Sequence, residues 1–284
     1  MTPDRDALVW VDGAVVPASQ AAVSPFDHGV TVGDGVFETA KVVTDRDGVR
    51  QAFALGRHLA RLRRSAAGLG LDVPVDDETL RRAVRALLDA NPDDGRLRIT
   101  VTGGHGPLGS GRGEGPPTVL VASAPVPAWG GSAAVVTVPW RRNEHSPVAG
   151  LKTTSYAENV VALRAAHDAG ADEAIFANTA GMLCEGTGSN IFVVHEGELV
   201  TPPLSAGCLA GIVRELVLEV AGATERDLPI EVLADVTEAF LTSSTRDVQP
   251  IDAIDGRALT PVPGARTADA AAALAALEAA DVDP

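Results

Sequence analysis

A chain of 284 residues, 45% hydrophobic and 21% charged, has apolar material for packed cores and length for two ordinary domains. Its formal charge of −15 opposes a non-specific grip on nucleic acid or on an anionic membrane surface, so an anionic ligand must be held by local groups. No apolar run approaches the ~20 residues of a membrane span, and the charged stretch Met1–Asp6 has no signal-peptide core behind it, so a cytoplasmic protein is expected. Cys184 and Cys208 are too few for a disulfide framework and lack zinc-site spacing.

In chain order, Val9–Val11 and Ala14–Val16 around Asp12-Gly13 predict a hairpin. A β-leaning run containing Val36, Thr39, Val42 and Val43 follows Gly33-Asp34-Gly35, and Leu59, Leu62, Ala66 and Leu69 recur at helical spacing. Leu80, Val84, Leu87 and Leu88 mark a second helix, Leu97, Ile99 and Val101 alternate as a strand, and Thr118–Ser123 supplies another. The glycine- and proline-rich stretch Gly103–Pro117 predicts a loop, and Ala124–Gly131 a linker. Beyond it, strands are expected at Ala133–Val138, Glu173–Ala177, Ile191–Val194, Glu198–Val200 and Ala239–Thr242. Helices are expected at Ala157–Ala169, Gly211–Val220 and Ala268–Ala280. The division is a small N-terminal domain at 1–123, a linker at 124–131 and a larger domain at 132–284, in an α+β fold.

Only two of the 23 basic residues are lysines, Lys41 and Lys152. Arginine replaces lysine where a positive charge suffices, but it cannot form an imine with an aldehyde. Lys41 lies within a predicted strand and reads as structural. Lys152, in Gly150-Leu151-Lys152-Thr153-Thr154-Ser155-Tyr156, sits between a loop and a helix. Downstream, Cys184-Glu185-Gly186-Thr187-Gly188-Ser189-Asn190 is a small-residue turn bearing one carboxylate. Gly207–Arg214 turns into a helix whose first N–H groups suit a phosphate, and Thr242–Thr245 ends a strand in four hydroxyls.

With Ser24–Gly29, Gly33–Thr39 and His58–Leu62, these segments stand in the order of the class IV aminotransferases, the fold-type IV pyridoxal phosphate enzymes, which the chain resembles over nearly its whole length. The resemblance implies a two-domain enzyme with a small α/β N-terminal lobe, a larger β-barrel-like C-terminal lobe and pyridoxal 5′-phosphate between them, with pyridoxamine 5′-phosphate as the half-reaction form. Lys152 matches the Schiff-base lysine that also moves the proton, and Glu185 the carboxylate that keeps the pyridine nitrogen protonated. Arg61 matches the phosphate-binding arginine, and the backbone N–H groups of Ile212 and Val213 complete a phosphate cup in which Val213 replaces the usual threonine. Ser189, Asn190, Leu209, Ser243 and Ser244 fall on further cofactor-binding positions; Asn190 is expected to orient Glu185 or cap its turn. Tyr156 is a candidate partner for the cofactor's phenolic oxygen or a packing residue. His28 and His58 read as hydrogen-bonding fixtures. The resemblance also implies a homodimer in which a small-lobe loop reaches the other subunit's site.

Relatives of this kind transaminate branched-chain L-amino acids, transaminate D-amino acids or (R)-amines, or act as 4-amino-4-deoxychorismate lyases. The sequence points first to transamination from a D-amino acid or (R)-amine donor to a 2-oxo acid, next to the lyase and last to the branched-chain reaction. Gly-Asp-Gly-Val-Phe-Glu supports the first, yet Phe37 replaces a carboxylate-binding tyrosine, and Gly103-Gly104-His105 replaces an arginine-bearing motif. Arg112, Arg142 and Arg246 are the candidate substitutes. The lysine segment and Arg246–Pro250 resemble lyase-like members, whereas Glu38 stands where some lyases have threonine. A silent binding protein on this fold is opposed by the complete Lys, Glu and Arg set. A dehydrogenase or hydrolase is opposed by the missing dinucleotide fingerprint and nucleophile elbow.

Overall fold

The alternating stretches form two sheets in a computed structural model of the chain, which describes residues 7–126 and 128–284. Met1–Asp6, read above for a signal peptide, and Pro127 of the expected linker lie outside the described residues. Contacts divide the chain into one unit of Met1–Pro127, Leu151–Tyr156 and Ala279–Pro284, and another of Ala128–Gly150 and Ala157–Glu278. The sequence division at 124–131 is linear, whereas these units are interleaved: the Lys152 segment belongs with the first.

The first unit contains β1 (Leu8–Val11), β2 (Ala14–Pro17), a one-turn α1 (His28–Thr31), β3 (Gly35–Thr44), β4 (Arg50–Ala52), α2 (Leu55–Gly68), α3 (Asp77–Ala90), β5 (Arg96–Thr102) and β6 (Thr118–Ala124). Its six strands pair antiparallel in the order β2-β1-β6-β5-β3-β4. Because successive strand residues face opposite ways, Val36, Glu38 and Ala40 share one face of β3, and Phe37 and Thr39 the other. Helix α2 buries Leu55, Leu59, Leu62 and Ala66 against the sheet's apolar face. Helix α3 begins where Asp76 accepts a 2.8 Å bond from Thr79 N–H, and adds Leu80, Val84, Leu87 and Leu88 to the same core. Asp27, buried, accepts bonds from Gly29 N–H and from the hydroxyls of Thr102 and Thr118, tying α1 to β5 and β6.

The second unit contains β7 (Ala133–Arg142), α4 (Ala157–Asp168), β8 (Glu173–Asn178), β9 (Leu183–Gly186), β10 (Asn190–His195), β11 (Glu198–Thr201), α5 (Ile212–Val220), β12 (Thr224–Glu225), β13 (Ala239–Ser243), β14 (Asp247–Ile254), β15 (Arg257–Ala258) and most of α6 (Ala265–Ala280). Its mixed sheet runs β12-β11-β10-β13-β14-β7-β8-β9, with β15 on β14, and curls as half a barrel around Ile175, Leu183, Ile191, Val193, Val200 and Leu241. At Glu196-Gly197 and Asp255-Gly256 both central residues have positive φ, 54° and 82° in the first and 49° and 78° in the second, as two-residue hairpin turns require.

Strand β14 has no counterpart in the sequence expectation, and two expected elements differ. Pro250 lies inside β14 opposite Phe240 of β13, and β14 pairs with β7 only from Ile251 onward. Strand β7 continues through Pro139 to Arg142 across a register shift. Glu185, expected in a turn, lies on β9 opposite Phe176. No helix among the described residues is long and apolar enough to cross a membrane. Leu62, wholly buried at the α2–sheet contact, is expected to cost about 2–5 kcal/mol of unfolding free energy when cut to alanine, measured by denaturant titration.

Candidate active site

In the first unit, Lys152 is fixed by its backbone on both sides. Its N–H donates to Ser65 Oγ at 3.1 Å, and its carbonyl accepts from Phe37 N–H at 3.0 Å. Thr154 N–H donates to Gly35 carbonyl, and the Thr154 and Ser155 hydroxyls both donate to Gly33 carbonyl. The segment therefore runs along the start of β3. Lys152 Nζ lies 4.3 Å from the Phe37 ring centre and 5.9 Å from that of Tyr156, and the two rings meet edge to face at 5.2 Å.

On the opposite face of β3, Glu38 is buried with Arg61 and His58. Arg61 donates through Nε and Nη2 to the two Glu38 oxygens, both at 2.7 Å, and His58 Nδ1 lies 2.6 Å from Glu38 Oε2. Burial alone would raise the Glu38 pKa; the charge and hydrogen bonds of Arg61, joined by those of His58, outweigh it and hold the carboxyl at about 2. Burial pushes the His58 pKa down despite Glu38, so its ring is neutral and Nδ1–H donates. His58, Arg61 and Ser65 recur at intervals of three and four on one face of α2.

In the second unit, Glu185 accepts from Leu209 N–H at 2.9 Å and faces Arg142 Nε at 3.2 Å. The Asn190 amide donates to Leu209 carbonyl at 2.9 Å and steadies the turn into α5. Gly211, the N-terminal cap of α5, offers no side-chain cap, and a Cβ there would collide with Asn190 Oδ1. Arg214 turns its guanidinium to Pro202 carbonyl and Glu225.

The three arginines named as possible substrate contacts each have protein partners. Arg112 forms a forked pair with Asp34 and reaches the carbonyls of Leu69 and Gly70. Arg142 stacks 4.1 Å over Phe176 and bonds Asn159 besides facing Glu185. Arg246 lies 4.0 Å over Trp129, bonds Gln249 and pairs with buried Glu173, the residue that also accepts from Thr187 and Ser189. His105 packs its ring on Phe26. Ser243 Oγ accepts from Arg246 N–H at the end of β13, next to Ser244.

Arg98 was missed by the motif reading. It stands on β5 opposite Thr39, and its guanidinium lies 3.7 Å over the Phe37 ring, the ring that also contacts Lys152. The signal was present in strand alternation: Leu97, Ile99 and Val101 face the core, which turns Arg98 to the other side with Phe37.

The donor set fits pyridoxal phosphate on chemistry. The first unit offers an amine walled by aromatic rings and a fixed guanidinium. The second offers a carboxylate held by a backbone N–H and a helix start whose first N–H groups lack a side-chain cap.

The family profile described as Amino-transferase class IV matches residues 35–254. The chain is 30% identical to the D-alanine aminotransferase of Bacillus licheniformis, covering 94% of this chain and 95% of that one. It is 31% identical to the bifunctional aminodeoxychorismate lyase / D-amino acid transaminase of Mycobacterium tuberculosis, over 90% and 94%. The crystal structure of the Thermoproteus uzoniensis branched-chain aminotransferase with norvaline superposes at TM-score 0.85, with 33% identity over 93% and 92%. A T.th. branched-chain aminotransferase structure with pyridoxamine 5′-phosphate superposes at 0.89, with 26% identity over 98% and 95%.

Because folding holds Glu38 near 2 against an ordinary 4.5, its stabilisation is complete above about 4.5 and is lost as pH falls from there through about 2. Denaturation midpoints measured across that window are expected to fall more steeply for the native sequence than for Glu38→Gln. Parallel curves would contradict the pairing.

Proposed function

The chain belongs to the class IV aminotransferases and is a pyridoxal phosphate enzyme, and from that premise we propose that it transaminates α-amino acids, with Lys152 as anchor and proton carrier and Arg98 as the cation that meets the substrate carboxylate. The observation that carries this reading is the Phe37 ring shared by Lys152 and Arg98. When bound, the cofactor supplies an aldehyde for the amine and a ring that accepts electrons from the substrate carbon. Lys152 Nζ would be the base that takes the proton from the substrate carbon and gives it back. Phe37 and Tyr156 exclude water around that amine, and the Tyr156 hydroxyl is assigned to the cofactor's phenolic oxygen. Glu185 holds a proton on the ring nitrogen, with its carboxylate steadied by Leu209 N–H and Arg142. Arg61, the N–H groups of Ile212 and Val213, and the hydroxyls of Ser243 and Ser244 are assigned to the phosphate. Ser189, Asn190 and Leu209 shape the surroundings of Glu185 and the α5 turn.

A carboxylate contact at Arg98 sets α-amino acids ahead of (R)-amines as donors. Gly33–Glu38 and the full-length likeness to D-alanine aminotransferase favour D-amino acids. The likeness to the T. uzoniensis enzyme at 33% identity favours branched-chain L-amino acids, and raises that reading above the place the motifs give it. The lyase remains a second reading, supported by the likeness to the bifunctional M. tuberculosis enzyme.

The cofactor-loaded protein should be mixed with D-alanine, L-leucine or 1-phenylethylamine alone while its absorbance is followed. Loss of the visible band and growth of a pyridoxamine-type band with either amino acid supports transamination, and the donor that converts identifies the class. No conversion, together with pyruvate release from aminodeoxychorismate, replaces this reading with the lyase. Arg98→Met is expected to raise KM for the amino acid about tenfold to a hundredfold, the worth of one charge-assisted contact. A carboxylate-free amine should be little affected, and an unchanged KM for the amino acid would remove Arg98 from the site.

A further inference from the structure

Glu38 and His58 have no part in the chemistry described above, yet both are buried, at 1% and 2% exposure, and both converge on Arg61. An ion pair taken out of water recovers its desolvation cost only with good geometry and further hydrogen bonds. This one has both: a fork-to-fork carboxylate and guanidinium, with an imidazole on the same carboxylate oxygen. The three side chains come from two elements. Glu38 is on the α2-facing side of β3, and His58 and Arg61 are one turn apart on α2.

Glu38 neutralises Arg61, so it cannot assist an anion by adding charge. What it can do is fix direction. A guanidinium is planar, and a carboxylate that takes its Nε–Nη2 edge sets that plane and thereby the line along which Nη1 points. His58 Nδ1–H in turn orients the carboxylate. Ser65, one turn further along the same face of α2, holds the Lys152 backbone. Helix α2 therefore carries both the guanidinium and a support for the amine in one rigid piece.

We infer that Glu38 is a positioning residue for phosphate recognition, its carboxylate, oriented by His58, locking the Arg61 guanidinium for the phosphate of the cofactor. This rests on the assignment of Arg61 to the phosphate. Orientation and charge make opposite predictions for Glu38→Gln. Removing a negative charge beside Arg61 would tighten phosphate binding if net charge governed it. If orientation governs it, binding weakens, because the amide presents an N–H2 donor where Arg61 or His58 also donates.

The test titrates full-length protein, stripped of cofactor, with pyridoxal 5′-phosphate and separately with pyridoxal, which has the aldehyde but no phosphate, following the visible band formed at Lys152. In Glu38→Gln the dissociation constant for pyridoxal phosphate is expected to rise about tenfold, as for one lost charge-assisted bond, while that for pyridoxal stays within about twofold. His58→Leu should move the same way by a smaller factor, and His58→Asn, which keeps a donor near the Nδ1 position, should recover most of the loss. The His58 pair decides the matter if Glu38→Gln fails to fold. Unchanged or tighter pyridoxal phosphate binding in Glu38→Gln overturns the inference, as does an equal loss for both aldehydes, the signature of a purely structural role. If the native sequence forms no band with pyridoxal phosphate, the anchoring role of Lys152 fails first and the inference falls with it. If Arg61→Lys weakens both aldehydes equally, the phosphate assignment of Arg61 is what fails.

Discussion

Phe37 and Glu38 are consecutive on a strand, so they must face opposite ways, and neither can move without moving the other. On one side the carboxylate enters the space between β3 and α2, where an ionised group needs a partner at hand. Arg61 and His58 supply it from successive turns of one helix. On the other side the aromatic ring becomes a floor on which Lys152 and Arg98 rest. A register slip of one residue would place the carboxylate among those cations and the ring against α2. The buried ion pair therefore specifies register as well as joining strand to helix, since the wrong register leaves Arg61 buried without its counter-charge.

The same strand holds the backbone of Lys152, the proposed cofactor anchor. Leu151–Tyr156 is far along the chain from β3, but its hydrogen bonds with Gly33, Gly35 and Phe37 align it with the start of that strand. Two of these bonds join backbone to backbone, and the Thr154 and Ser155 hydroxyls supply the two to Gly33. The lysine side chain thus projects from a support that does not depend on its own flexible stem. Placement of a reacting group on a rigid element reduces the reorganisation needed before proton transfer. The Glu185 side is built by related means: a carboxylate on a strand, opposite Phe176, receives a backbone N–H from the turn that opens α5, and that turn is closed by Asn190 against a glycine that cannot accept a Cβ.

Local pattern made much of this legible. Helical spacing located α2 and α3, alternation located β5, and Asp12-Gly13 marked a turn whose positive φ the backbone adopts. Motif order identified the family. What remained hidden depends on partners distant in sequence. Strand β14 carries Pro250 in its interior, and is a strand because β13 pairs with it from Asp247 to Pro250 while β7 pairs with it from Ile251 onward. Asp255-Gly256 forms a hairpin turn that was not singled out, because the strand after it has only two residues. Arg112, Arg142 and Arg246 look like unassigned cations in sequence, but Asp34, Glu185 and Glu173 are 78, 43 and 73 residues away. Arg98 looks like a surface charge until the ring it covers is known.

The scarcity of lysine can be understood in the same terms. Arg61 and Arg112 each present two nitrogens to one carboxylate, while Arg142 and Arg246 combine a carboxylate contact with stacking on an aromatic ring. A fork and a flat face are properties of guanidinium; an ammonium offers neither. Arginine is therefore suited to these structural tasks. It is useless for the one task that requires an amine able to lose its proton and bond to carbon. Of the two lysines, Lys41 lies over the Phe53 ring within the first unit, as a packing role on a strand would have it. That leaves Lys152, whose backbone is bonded to the strand carrying Phe37 and Glu38, as the amine proposed for the chemistry.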